Sequence, residues 1–370
     1  MIRLTVPYVD HRELEEIEKV LQTGFYTQGP KVAEFEKKVA DLVGSHYAYA
    51  MSSCTTALQL ALHTLELKPG DEVLVADYTF PATANIVVTE GQTPVLVDIN
   101  LDTFSMDPDD LESKITDRSR VIIPVHAFGC SADMNPILEI AKKHDLFVIE
   151  DAACALATTY YEKYCGTMGT LGCYSFHPRK AITTGEGGMI VTDKEELAQK
   201  IGIFRNHGGV KGEYFYHYDE AGFNYRLSDI QGAMGVAQLE KLDWILENKR
   251  RLAAILREKL QGIEGVTPPI EPAWGGHVYQ SFVVLLDDGI DRDAVIHSMR
   301  EKGVETTLGT YAVHAQPYFI EKYGYKPGHL PKSYQAFTQS LTLPLYPQME
   351  DGILHIVVDI LKEVIKENIN

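Results

Sequence analysis

The sequence predicts an α/β protein, a largely parallel sheet covered by helices and followed by a smaller α+β unit. Three observations carry this. Seven short β-rich runs fall between residues 47 and 193, helical periodicity separates the earlier runs, and the pattern changes near residue 236. The runs are YAYAMSS (47–53), EVLVAD (72–77), TPVLVDIN (93–100), RVIIPVHAFG (120–129), LFVIEDAA (146–153), CYSFH (173–177) and GGMIVTD (187–193). Several are apolar almost throughout, as strands buried on both faces are. Residues 55–66 and 134–144 carry apolar side chains at helical spacing. Strand–helix–strand alternation implies parallel pairing. Residues 236–260 read as one long amphipathic helix. A Pro/Gly-rich stretch (267–276), a strand (279–286) and a charged helix (291–302) then form the smaller unit. The expected division is 1–250, a large domain, and 251–370, a small domain on which the N-terminal segment packs.

Composition narrows the function. The chain has 370 residues, 34 Lys and Arg against 52 Asp and Glu, and a net charge of −18. That balance argues against a general nucleic-acid binder, which needs a basic footprint. No apolar run approaches the ~18 residues of a membrane span. The first twenty residues turn acidic and polar, unlike a signal peptide. The five cysteines (54, 130, 154, 165, 173) are odd in number and lack a C-x-x-C pair, so neither a disulfide framework nor a zinc site is expected. A reduced, cytoplasmic setting and no metal are the expectation.

Phosphate-loop, dinucleotide, serine-hydrolase and zincin motifs are absent. Four local features remain. Lys180 lies in SFHPRKAITTGEGG (175–188), after a strand and before glycines that allow close backbone approach. Most lysines are solvated surface residues, but a buried one loses proton affinity and becomes a Schiff-base former. Asp151 ends an apolar strand, where the ligand crevice of an open α/β sheet lies. It reads either as a helix N-cap or as a carboxylate that keeps a ring nitrogen protonated. Glu150 alternates to the other face. SSCTTALQLAL (52–62) starts a helix with small hydroxyl residues, which suits either an ordinary cap or a phosphate cradle. Asn224 and Arg226 precede a helix in GFNYRLSDIQGAMG (222–235), and local physics alone assigns them no role. An amine nucleophile, a ring-nitrogen carboxylate and a phosphate cradle, in that chain, are what pyridoxal phosphate requires.

The sequence resembles the DegT/DnrJ/StrS family of nucleotide-sugar aminotransferases. Seven ordered blocks carry the resemblance: 24–44, 70–85, 122–134, 148–153, 175–193, RNHG (205–208) and 222–235. The resemblance implies a fold-type I pyridoxal-phosphate enzyme with a mostly parallel seven-stranded sheet. It implies that Lys180 carries the cofactor and shuttles protons, and that Asp151 pairs with the pyridinium nitrogen. Phe80 would stack on the ring, a core Phe being the plain alternative. Thr55, Thr56 and Ser175 would hold the phosphate. Asn224 would reach the cofactor phosphate of a neighbouring subunit, making a homodimer with shared sites. Tyr26 and His314 would line the sugar pocket, an ordinary surface His being the alternative for the latter.

Two departures stand out. The family usually has Gln or His at the cofactor-binding position held here by Cys154, so its contact with the cofactor's phenolic oxygen or ring is weakened or supplied elsewhere. Cys54 replaces a Gly in the phosphate loop. Lys180 is intact, unlike the His of the family's sugar dehydratases, which argues for amino transfer. The resemblance implies L-glutamate as donor and a nucleotide-linked keto sugar as acceptor. ITTGEGG resembles members that aminate position 4 of a 4-keto-6-deoxy sugar, whereas LGxxGDGG marks position 3. The alternatives are a 3-keto sugar or cyclitol aminotransferase, or a non-catalytic regulatory protein on the same fold. Because the body is acidic and its ligands are anions, a locally positive cleft is expected.

Overall fold

A seven-stranded sheet forms the centre of the computed structural model, which describes residues 1–368. The last two residues of the expected 251–370 unit lie outside the described residues. The strands are β1 (Tyr47–Met51), β2 (Glu72–Ala76), β3 (Thr93–Val97), β4 (Ser119–Ile123), β5 (Phe147–Asp151), β6 (Leu171–Ser175) and β7 (Gly188–Thr192). Their order across the sheet is β1-β7-β6-β5-β4-β2-β3. The pairs from β3 to β6 are all parallel; β7 runs antiparallel to both β6 and β1. Each strand matches one β-rich run of the sequence. The run 120–129 ends early because residues 127–129 form a tight turn with Phe128 at φ 56° and Gly129 at φ 91°.

Successive side chains of a strand point to opposite faces. Leu74, Ile122 and Val148 therefore join one apolar cluster, with Val32, Phe35 and Val39 of the helix Pro30–Val43 and Ile137 of Met134–Lys143. Val73, Val75, Val121, Ile123 and Ile149 join another, with Leu58 and Leu62 of the helix Cys54–His63 and Ile201 of Glu195–Phe204. Both faces of the sheet are covered, which accounts for the unbroken apolar runs.

The expected single helix over 236–260 is instead two, Asp229–Leu239 and Leu242–Leu260. The break falls at Lys241, whose buried ammonium is drawn onto Glu13 and lies 3.5 Å from Asp10. Gln238 Nε2 reaches the same Glu13 at 2.5 Å. Packing of the helix His11–Thr23 thus overrides helix periodicity at that point. The second helix serves two cores. Leu242, Ile245 and Leu246 pack in the first cluster, whereas Leu252, Ala253, Leu256 and Leu260 pack in a third with Phe282, Val284 and Leu341. That third cluster lies on a four-stranded sheet containing Phe282–Leu286 and Ser340–Leu343. The N-terminal segment joins it too: Ile2 bridges Val304, and Leu345 N donates to Leu4 O at 3.2 Å.

Candidate active site

Parallel strands end along one edge of the sheet, and that edge collects the predicted residues. Asp151 is the last residue of β5, Ser175 the last of β6, and Gly188 the first of antiparallel β7. Register places Ser175 opposite Gly188 and Met51 opposite Gly188 on the other side. The helix Cys54–His63 starts directly after β1.

Asp151 is buried, and its carboxylate is oriented rather than ion-paired. Oδ2 accepts from Thr83 Oγ1 at 2.8 Å, and Oδ1 accepts from Ala153 N at 3.1 Å. It caps no helix. Thr83 Oγ1 lies 3.1 Å from Thr79 Oγ1, so two hydroxyls of the DYTFPAT segment stand behind the carboxylate. Thr83 was visible in the sequence only as part of that block, with nothing to distinguish it from a surface hydroxyl. Glu150 points the other way, as alternation requires. It is fully buried and accepts from Gly166 N, Met168 N and Gly169 N at 2.6–2.7 Å and lies 2.9 Å from His126 Nε2. Ala132 N donates to His126 Nδ1, so the ring proton sits on Nε2. Glu150 is thereby committed to holding the 166–169 turn.

Lys180 follows β6 in a turn closed by its own N–H to His177 O at 2.8 Å. Its Nζ donates to Cys154 Sγ at 3.0 Å. Burial alone pulls the amine pKa down, but Cys154, Cys54 and Asp151 outweigh it and the net direction is upward. The sequence-based expectation of lowered proton affinity is corrected on this point: in the cofactor-free chain an adjacent sulfur and carboxylate hold the proton on Lys180. Cys154 thus contacts the lysine.

The helix Cys54–His63 begins with a capping box. Ser53 Oγ accepts from Thr56 N, and Thr56 Oγ1 accepts from Ser53 N, both at 3.1 Å. Thr56 also donates to Ser53 O at 2.8 Å. The cap and cradle alternatives therefore coexist: Ser53 is the cap, while the first-turn N–H groups of Cys54 and Thr55 remain open donors. Thr55 is exposed beside them. Cys54 is turned into the core, where burial pushes its thiol well above its ordinary pKa, and it leaves the backbone free. Gly188 makes this geometry possible. A Cβ there would lie 2.4 Å from Ser53 O and 2.6 Å from Cys54 N. Ser175 Oγ accepts only a long bond, 3.4 Å, from His177 N. An amine, a buried carboxylate and an open helix N-terminus with adjoining hydroxyls form a donor set that fits pyridoxal phosphate.

The remaining predicted residues are placed as follows. Phe80 is 66% exposed, with its ring 6.5 Å from that of Tyr311, so it is not a core residue. The segment 224–226 runs beside the start of the helix Cys54–His63: Ser52 N donates to Tyr225 O at 2.8 Å, and Arg226 bridges Met51. Arg226 Nη1 donates to Asn206 Oδ1 at 2.5 Å. The Asn224 side chain is exposed and bonds none of the other site residues within its own chain. Tyr26 sits on an exposed loop whose carbonyl accepts from Asp229 N at 3.1 Å. Asp229 starts the helix Asp229–Leu239, whose Gln231 Nε2 donates to Glu186 O of the GEGG turn at 2.7 Å. His314 is no surface residue. It is fully buried, with Nδ1 2.6 Å from Asp77 Oδ2 and Nε2 3.3 Å from Pro327 O, so its ring offers no free nitrogen.

A cavity of about 330 Å³ lined by Glu72, Lys114, Thr116, Tyr325 and His329 lies at the opposite end of the sheet, where β2 begins. Its polar groups are already engaged, Glu72 with Arg118 and Thr116, and Lys114 with Asp110.

The profile of the DegT/DnrJ/EryC1/StrS aminotransferase family matches residues 7–362. The spore coat polysaccharide biosynthesis protein SpsC of Bacillus subtilis is 36% identical over 98% of this chain and 96% of its own length. GDP-perosamine synthase of Caulobacter vibrioides is 40% identical over 85% of this chain and 86% of its own. Spr1654 from Streptococcus pneumoniae, in its PLP form, superposes with a TM-score of 0.95 at 26% identity, covering 99% of both chains.

Proposed function

This chain belongs to the DegT/DnrJ/EryC1/StrS aminotransferase family and is a pyridoxal-phosphate-dependent sugar aminotransferase; from that premise we propose that it moves an amino group from L-glutamate to the 4-keto carbon of a nucleotide-linked 4-keto-6-deoxyhexose. The observation that carries the site assignment is the convergence of Lys180, Asp151 and the open start of the helix Cys54–His63 on one sheet edge. The ITTGEGG segment (182–188) supports the 4-keto choice. The similarity to GDP-perosamine synthase supports a nucleotide-linked acceptor.

When bound, the cofactor supplies an electron sink for the carbon that loses its proton. The chain does the rest. Lys180 Nζ would hold the cofactor covalently between turnovers and, once free, would accept and return a proton. Asp151, steadied by Thr83 and Ala153, keeps the ring nitrogen protonated. The N–H groups of Cys54 and Thr55, with the hydroxyls of Thr55 and Ser175, would hold the phosphate, whereas the Thr56 hydroxyl, expected there too, is spent on Ser53. Phe80 covers a ring face, and Tyr26 adjoins the sugar. His314 supports the sugar side by fixing residues 312–316 to Asp77. Asn224 acts on the site of a second copy in a homodimer. The large unit 1–250 holds the cofactor, and 251–370 closes its flank; the sharing of Leu242–Leu260 between two cores supports a division there. Five free cysteines and the absence, among the described residues, of a helix able to cross a membrane support a cytoplasmic setting.

The test is direct. Purified protein absorbs at roughly 410–420 nm, and borohydride fixes the cofactor to Lys180. Lys180→Ala abolishes that attachment; a variant still carrying borohydride-fixed cofactor overturns the assignment. With glutamate and a panel of nucleotide-linked 4-keto and 3-keto sugars, α-ketoglutarate forms with the 4-keto set. Turnover confined to 3-keto sugars or cyclitols refutes the acceptor.

A further inference from the structure

One buried group near the site has no task so far. Lys249, on the helix Leu242–Leu260, is 3% exposed. Among the described residues it is the one buried lysine or arginine that meets no carboxylate. Arg205 has Glu36, Lys241 has Glu13, and Arg292 has Asp293. Lys249 Nζ donates instead to the carbonyl of Gln280 at 2.9 Å. The Gln280 side chain in turn donates from Nε2 to the carbonyl of Arg179 at 2.8 Å. That carbonyl belongs to the peptide leading into Lys180.

The strut is held from both sides. Tyr279, just before Gln280, adopts φ 49°. Gly129, at φ 91°, lies so close that a Cβ would sit 2.7 Å from Val278 Cγ2 and 3.0 Å from both Gln280 N and Cys154 O. Gly129 therefore lies close to the backbones of both Gln280 and Cys154, where a side chain would not fit. The charged and titratable groups that act with Lys249 are Cys154 and Lys180 at the sheet edge, and His277 before the strand. Arg250 and Arg257 lie on its own helix. No carboxylate is among them. Burial draws Lys249 down to about 7, with Lys180 pushing the same way and Cys154 opposing. Burial, with Lys249 and Arg257, draws His277 to about 3, so that ring stays neutral.

We propose that Lys249 is a positioning residue for Lys180: by holding Gln280 in place it supports the peptide that joins Arg179 to Lys180. The proposal rests on Lys180 being the cofactor lysine. A buried, unpaired lysine costs stability, and this role gives the cost a purpose.

The test is an equilibrium titration of pyridoxal phosphate into the parent, Lys249→Met, Gln280→Ala and the double variant, with borohydride fixation to Lys180 as a second reading. In each single variant the support of the Arg179–Lys180 peptide is lost, and cofactor affinity falls about fivefold. The double variant loses no more than either single one, because both act through one strut. Parental affinity in Gln280→Ala, or losses that multiply in the double variant, overturns the proposal. If Lys249→Met does not fold, the Gln280→Ala result decides it. A parent without borohydride-fixed cofactor on Lys180 refutes the underlying assignment instead, so the two failures are distinguishable.

Discussion

Thr83 is the smallest group on which the proposed chemistry depends. Its hydroxyl donates to Asp151 Oδ2 at 2.8 Å and leaves the second oxygen to Ala153 N. Thr83→Val keeps the shape and removes one hydrogen bond, worth about 1–1.5 kcal/mol. The expected outcome is a five- to tenfold loss of cofactor affinity in an equilibrium titration. The thermal midpoint of the cofactor-free chain stays nearly constant, and unchanged affinity counts against the role. Residue chemistry was legible in the sequence where it coincided with a strand end. Asp151 and Lys180 follow apolar runs, and Glu150 is sent to the other face by period-2 alternation. Thr83, Gln280 and Lys249 were not legible. Each acts through a contact far away in sequence, Gln280 with Arg179 and Lys249 with Gln280. The proton affinity of Lys180 was misjudged for the same reason, since Cys154 and Asp151 bear on it across the fold.

Among the elements, the start of the helix Cys54–His63 is held open by strand β7. Gly188→Ala inserts a methyl group within 2.4 Å of Ser53 O, and backbone cannot yield as a flexible side chain can. Overpacking of this kind costs roughly 1–3 kcal/mol. The variant should lose at least tenfold in cofactor affinity and melt several degrees lower. Wild-type affinity shows that the cradle lies elsewhere. The helix Leu242–Leu260 has its own pH signature. Lys249 titrates near 7 when folded and near its ordinary value of 10.5 when unfolded. The unfolded chain therefore binds more protons between these values, and this group's cost is full below about 7 and lifts as pH rises. In denaturation at pH 6.5 and 8.5, the stability of the parent relative to Lys249→Met improves by about 2 kcal/mol at the higher pH. A pH-independent difference means that Lys249 is not held as a buried cation. Strand runs were readable because both sheet faces are covered. The break at Lys241 was not, because it is caused by Glu13, more than two hundred residues earlier.

The molecule as a whole is acidic, yet its cofactor is an anion, as is the acceptor proposed for it. Net charge is −18, while Lys180, Arg226 and the helix start gather at one sheet edge. Global attraction of an anion is therefore weak, and the proposed reading gives its binding to these local donors. The same edge carries an exposed apolar feature, the hairpin of Gly209–Lys211 and Tyr216–Tyr218, whose Tyr214 and Phe215 are about four-fifths exposed. Such patches are uncommon on monomers, and Asn224 follows closely with its side chain free for a second copy. A symmetric dimer with shared sites makes a quantitative prediction. Lys180→Ala destroys the site on its own subunit, whereas Asn224→Ala damages the site of its partner. In a mixed dimer, one site then keeps both residues and the other keeps neither. Mixing the two inactive variants through denaturation and refolding should restore activity to about a quarter of wild type, since half of the dimers are mixed and each has one good site. Activity no greater than the average of the separate variants shows that Asn224 serves its own subunit or none.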